Sequence, residues 1–364
     1  MSRRGLIVGT LLALVMAGLP LPSLSAPGAQ AQEKRLHVVA STSILADVVR
    51  NVVGNANVEV VSLIPVGVNA HTYEPSAQDV ATLSDADAVF VVGMNYEAGL
   101  MSIIKEAAGN RVVDVSTCVP IRPVSTEAEI PPAGVAPGQP GALDNTTIDA
   151  RCEAHYLSAG YAFGFEPRHT AGLLYEPTCS TDEHAPGGAC DPHVWTDPVN
   201  VALWTYMIRD TLLNLVGSPY NKSFAANADT YDYQLAGLHH DVQALMDSLA
   251  PDHRTLVTNH ETLNYLAARY GLTVVGVVIP GGSTTSEPSV QEVLALTETI
   301  KKHHVPAIFT ENVVSDSLAQ QVASETGAAI VRLYTESLSQ PSEGADTYLN
   351  YMRYNASAIA EAMR

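Results

Sequence analysis

LHVVASTSILADVVRNVVGNANVEVVSLIP, Leu36 to Pro65, sets two short apolar runs on either side of an amphipathic stretch closed by Gly54. The runs LHVVAS and VEVVSLIP predict buried strands, and ILADVVRNVV between them predicts a helix, because its apolar residues recur every three or four positions. Strand, helix and strand at this spacing form a βαβ unit, which implies a mainly parallel sheet. The same alternation continues outward. Ser76 to Leu83 is expected to be helical with Ser76 as N-cap, DAVFVVG a strand, Gly99 to Ala108 a helix and RVVDVS a strand.

The pattern breaks at Ile121, where PPAGVAPGQPG and its surroundings lose all hydrophobic period, so residues 121–189 are expected to form one long insertion pinned by disulfides. Two helices follow, Val199 to Val216 and Phe224 to Leu249, the second long enough to run the length of a domain. Then the α/β alternation restarts. RTLVTN, LTVVGVVIP, AIFTE and AIVRLYT are expected strands, with helices at Glu261 to Arg269, Val290 to His304, Ser317 to Thr326 and Asp346 to Met363. The fold class that results is α/β, with two lobes, each a mainly parallel sheet flanked by helices, joined by a long linking helix. Its expected division is 1–31 leader, 32–221 N-terminal lobe with the insertion 121–189, 222–250 linking helix and 251–364 C-terminal lobe.

The N-terminus reads as a secretory signal peptide: MSRRG, then LIVGTLLALVMAGL, then small residues ending Ala29-Gln30-Ala31. The mature chain is therefore expected outside the cytoplasm, soluble and monomeric, and without a lipid-anchor cysteine, since none follows the apolar run. A formal net charge of -19 argues against nucleic acid and favours cationic partners. Cys118, Cys152, Cys179 and Cys190 are an even set in an exported chain and predict two disulfides, with three connectivities open.

In open parallel sheets ligands bind beyond the carboxyl ends of the strands. Four chemistry-bearing residues fall there or in a loop of similar standing: His71 after VEVVSLIP, His260 after RTLVTN, Glu336 after AIVRLYT, and His193 in CDPHVWTDP ahead of a helix. Each alone is weak. Together, three imidazoles and one carboxylate make a four-coordinate shell of the kind Zn2+ accepts, in a cleft between the lobes. Asp191 is expected either to orient His193 or simply to turn the chain; Glu261, beside His260, either caps a helix or competes as a ligand. His155, His169 and His184 in the insertion read as solvated, and His239-His240 and His303-His304 as surface pairs. PGGSTTSEPS, Pro280 to Ser289, lacks the ending of a phosphate-binding loop and reads as a turn into a capped helix; no G-x-S-x-G supports a serine hydrolase.

The stretches HTYEPSAQDVATLSDADAVFVVGMNYE, DPHVWTDP, LVTNHETLNYLAARYGL, IFTENVVSDSLAQQVASETGA and LYTESLSQPSEGADTYLNYMRYN, in this order, resemble the metal-specific cluster A-I substrate-binding proteins of ABC transporters. The resemblance covers nearly the whole mature chain except the insertion. It implies that His71, His193, His260 and Glu336 bind a metal ion, that the partner is an ABC permease, that a rigid helix links the lobes, and that the protein is no enzyme. Many relatives carry Asp where Glu336 stands. Manganese-selective members tend to have a carboxylate at the position of His260, so the histidine here points to zinc, which imidazole also favours over Mn2+. The competing expectations are a manganese carrier of the same class, a zinc hydrolase with Glu336 as general base, and a surface protein merely stabilised by metal.

Overall fold

The computed structural model describes residues 35–119, 121–122, 124, 150–164, 190–216, 221–281 and 284–364. The opening stretch forms β1 (Leu36–Ala40), α1 (Ser43–Val53) and β2 (Val58–Ser62), followed by α2 (Ala77–Asp85), β3 (Ala88–Val91), α3 (Met101–Ala108) and β4 (Val112–Asp114). Thr42 starts α1 by accepting the Leu45 amide, and Gly54 ends it at φ +56°, a backbone region that favours glycine. Ser76 caps α2 in a reciprocal box with Asp79, as its sequence predicts. The four strands pair in parallel in the order β2-β1-β3-β4. The inner strand β3 is wholly buried while β2 at the edge is half-buried, which is what consecutive apolar residues in a covered parallel sheet require.

The insertion is not all irregular. Residues Ala150–Phe163 form a helix, α4, and Cys152 on it is bonded to Cys118. Cys190 is disulfide-bonded as well; Cys179, His169 and His184 lie outside the described residues. On α4, His155 is buried rather than solvated: its Nε2 lies 2.8 Å from Asp210 Oδ2 and its ring stacks on Tyr206. The expectation of a solvated His155 failed because a lone histidine does not reveal which face of a helix it occupies.

Two helices follow, α5 (Pro198–Leu215), capped by Asp197, and α6 (Asn221–Asp247). The second lobe contains β5 (Thr255–Thr258), α7 (Asn264–Tyr270), β6 (Thr273–Val277), α8 (Val290–His303), β7 (Ala307–Glu311), α9 (Ser317–Thr326), β8 (Ala329–Leu333) and α10 (Tyr348–Ala362). Its strands are parallel in the order β6-β5-β7-β8, so the two sheets repeat one topology. Ser289 caps α8 with Glu292, which confirms the capped helix after PGGSTTSEPS. Helix α7 starts three residues later than its periodicity suggests, so Glu261 caps no helix. His239 on α6 is another correction: it is buried against Phe163 and Tyr270, and burial in that setting lowers its pKa to about 3, whereas His240 is exposed.

Helix α6 packs along α5, α1 and α10, and one continuous apolar core includes residues of β1, α1, α5, α6, β5, α7 and α10. No helix among the described residues is long and apolar enough to cross a membrane.

Candidate metal centre

The loop after β2 makes a short 3-10 turn at Ala70–Thr72, started by Asn69, whose side chain accepts the His71 amide at 2.9 Å. That turn carries His71 to the cleft. His193 stands just ahead of a second 3-10 turn, Val194–Thr196, which leads through the Asp197 cap into α5. His260 follows β5 and Glu336 follows β8. The four expected residues therefore come from four separate segments, and one potential ligand atom of each lies within 4.8 Å of all the others. Glu336 Oε1 is the centre of this arrangement, at 2.8 Å from His71 Nε2, 3.1 Å from His260 Nε2 and 3.6 Å from His193 Nε2.

Each of these atoms is otherwise idle. The three Nε2 atoms and both Glu336 oxygens are buried and make no hydrogen bond to another group among the described residues. A buried polar atom without a partner is costly to keep, and the convergence of four of these atoms, one from each residue, is the pattern of a ligand site. Three neutral nitrogens and one anionic oxygen, with no thiolate, match the donor preference of a borderline divalent cation.

Other residues fix the imidazoles. Asp191 Oδ1 accepts both the backbone amide of His193 at 2.9 Å and its Nδ1 at 2.8 Å, so the residue turns the chain and orients the ring together. Asn264 donates to Asp191 Oδ2 at 3.0 Å, and the Tyr265 hydroxyl donates to its carbonyl at 3.0 Å. On His260, Nδ1 meets Glu311 Oε1, while Glu311 Oε2 accepts the Thr335 hydroxyl at 2.7 Å. These contacts place the Nδ1 proton on the carboxylate side and aim the Nε2 lone pair at the centre. Glu311 was not singled out from the sequence, although it ends β7 and meets the same strand-end criterion as the candidate ligands His260 and Glu336.

The electrostatics follow. Burial lowers the pKa of His193, but Asp191 and Glu336 more than reverse this and raise it. Burial likewise opposes the charged form of His260, and Glu311 with Glu336 raises that ring to about 10. Burial would raise Glu336, but the three imidazoles hold it well below the usual carboxylate range. The upward shifts of His193 and His260 share one cause, the buried carboxylates Asp191, Glu311 and Glu336 set among them. Glu261 is buried beside the cluster, pushed up by burial and by Asp191 to about 7, and is not among the converging atoms. Tyr96 and Trp195 wall the pocket edge-on, Tyr96 at 5.2 Å from the His71 ring and Trp195 at 5.4 Å from that of His193.

Comparison with known proteins bears on the family and the fold. The chain is 24% identical over 329 residues to the manganese-binding lipoprotein MntA of Halalkalibacterium halodurans, covering 90% of this chain and 88% of that one. That relative's name marks it as a lipoprotein; the first cysteine here is Cys118, which is bonded to Cys152. Among solved structures, the fold resembles the Mn-bound periplasmic metal binding protein from Candidatus Liberibacter asiaticus, with a TM-score of 0.66, 22% identity, and 90% of this chain and all of that one covered. It also resembles the periplasmic zinc binding protein TroA from Treponema pallidum, with a TM-score of 0.66, 23% identity, and coverage of 91% and 99%. The family described as zinc-uptake complex component A, periplasmic, matches residues 38–362. The chain therefore belongs to that family, the extracytoplasmic metal-binding proteins that serve ABC transporters.

Proposed function

We propose that this protein captures Zn2+ outside the cytoplasm, holds it with His71, His193, His260 and Glu336, and delivers it to an ABC permease. The observation that carries this reading is the convergence of three otherwise unbonded imidazole nitrogens on one carboxylate oxygen. Zinc suits such a set better than manganese, because Mn2+ prefers oxygen donors and stands lower in the general affinity order. Glu336 supports carriage rather than hydrolysis. The three imidazoles around it support its reading as a fourth ligand, which would leave no open position for an activated water. The expected division, with 222–250 as a link between lobes 32–221 and 251–364, belongs to the same proposal.

A manganese carrier is the second reading, favoured by the name of the relative MntA and by the Mn-bound neighbour. Metal analysis of the purified protein, with competitive zinc and manganese titration of wild type and His260→Ala, separates the two. Zinc should bind with one-to-one stoichiometry and displace manganese, and His260→Ala should lose at least about a hundredfold in zinc affinity, since one of four bonds is removed. Preferential retention of manganese by the wild type would favour the second reading.

A further inference from the structure

The four candidate ligands are not equally held. Behind His193 stands Asp191, and behind His260 stands Glu311, both buried carboxylates. His71 is the one member of the set that is not fully buried, and among the described residues no carboxylate meets its Nδ1. Its loop is flanked by exposed positions, among them Pro65, Gly67 and Thr72. Side-chain hydrogen bonds from the other lobe hold this loop in place.

Two such ties are present among the described residues. The hydroxyl of Ser337, the residue directly after Glu336, accepts the Gly67 amide at 2.7 Å. It also donates to the Leu338 carbonyl at 3.0 Å and lies 3.3 Å from Ser43 Oγ, which itself accepts the Leu338 amide at 3.0 Å. The serine pair is buried, which shields its own bonds, while the Gly67 amide that Ser337 holds lies on an exposed stretch of the loop. The second tie runs from Asn69 Nδ2 to Thr284 Oγ1 at 3.0 Å, while Asn69 Oδ1 holds the His71 amide. Asn69 therefore connects the backbone of one ligand to a hydroxyl on the opposite lobe. All of these bonds are neutral, and each breaks more readily than a buried carboxylate is stripped from an imidazole.

We propose that Ser337 and the Asn69–Thr284 pair are positioning residues that hold the His71 loop on the C-terminal lobe and so set how long a bound ion stays. The inference rests on the metal-carrier reading above. With a tie removed, His71 samples positions away from the other three ligands more often, and the ion leaves sooner. Association should change little, because the three other ligands still form the first landing point.

The test is stopped-flow release of Zn2+ from the full-length protein to an excess of chromogenic chelator, for wild type, Ser337→Ala, Thr284→Val and Thr284→Ser. Ser337→Ala and Thr284→Val should each release zinc about five- to tenfold faster, the change expected for one lost hydrogen bond. Thr284→Ser keeps the hydroxyl and should release at the wild-type rate. The thermal midpoint of the metal-free variants should stay at the wild-type value, and Co2+ loaded into each should retain a four-coordinate absorption band. Unchanged release from both variants overturns the proposal, and so does faster release matched by a fallen midpoint in the metal-free protein, which would mean general loosening. Failure of the wild type to bind zinc at all would instead overturn the carrier reading, so the two failures are distinct.

Discussion

His260 and Glu311 meet where two strands of the second sheet end, and that contact turns the His260 ring toward the other candidate ligands. A carboxylate that accepts the Nδ1 proton fixes the tautomer and makes Nε2 a better donor. Glu311→Gln should keep all four ligands yet lower zinc affinity by about ten- to a hundredfold, measured by competition with a chelator of known strength. At this scale the sequence was informative in part. His71, His193, His260 and Glu336 stood out because strand ends and loops near helix starts are where parallel sheets bind ligands, and their donor types agree. Glu311 fits the same rule but, as a single carboxylate among 38 acidic residues, had no feature to separate it. The burial of His155 and His239 was not legible, because it depends on which helix faces meet, and α4 lies in a segment without hydrophobic period.

The helices that carry these loops are braced by charge. Arg269 on α7 donates through Nε to Asp197 Oδ2 at 2.8 Å, with Nη2 at 2.6 Å, and Asp197 in turn caps α5 through the Val199 amide. Both partners are buried, so removing one strands the other's charge. Arg269→Ala should lower unfolding stability by about 3 to 5 kcal/mol in urea titrations. A second element-scale effect concerns Asp232 on α6, which accepts the Tyr206 hydroxyl at 2.6 Å and is raised by burial to about 7. The folded state keeps a proton there that the unfolded chain releases from about pH 4 upward. Stability contributed by this group is therefore lost as pH rises from about 4 to about 7, and Glu97 and Asp114, also raised by burial, act with the same sign. Asp232→Asn should flatten that decline without abolishing it, as urea midpoints of the metal-free protein at pH 5 and pH 8 will show. Element types were legible from periodicity, whereas the start of α7 was not: Glu261 to Leu263 share its composition but are spent on the loop behind His260.

The whole molecule combines two sheets of one topology with a single apolar core continued through α5, α6 and α10. The repeat was visible in the sequence as a restart of the α/β alternation after a long helix, while the shared core was not, because contacts between distant segments have no local signature. Helix α6, packed against α1 and α5 on one side of the repeat and α7 and α10 on the other, cannot act as a loose hinge. Small-angle scattering should therefore show little change in radius of gyration between zinc-free and zinc-loaded protein, and a large compaction would contradict this packing. The central claim is that one ion is held by three imidazoles and one carboxylate. Zinc K-edge X-ray absorption of the stoichiometrically loaded protein tests it most directly. The account predicts four-coordinate zinc, with imidazole nitrogens at about 2.0 to 2.1 Å and one carboxylate oxygen at about 2.0 to 2.2 Å. A spectrum fitted by one or no imidazole, or by a shell filled with water oxygens, would contradict it.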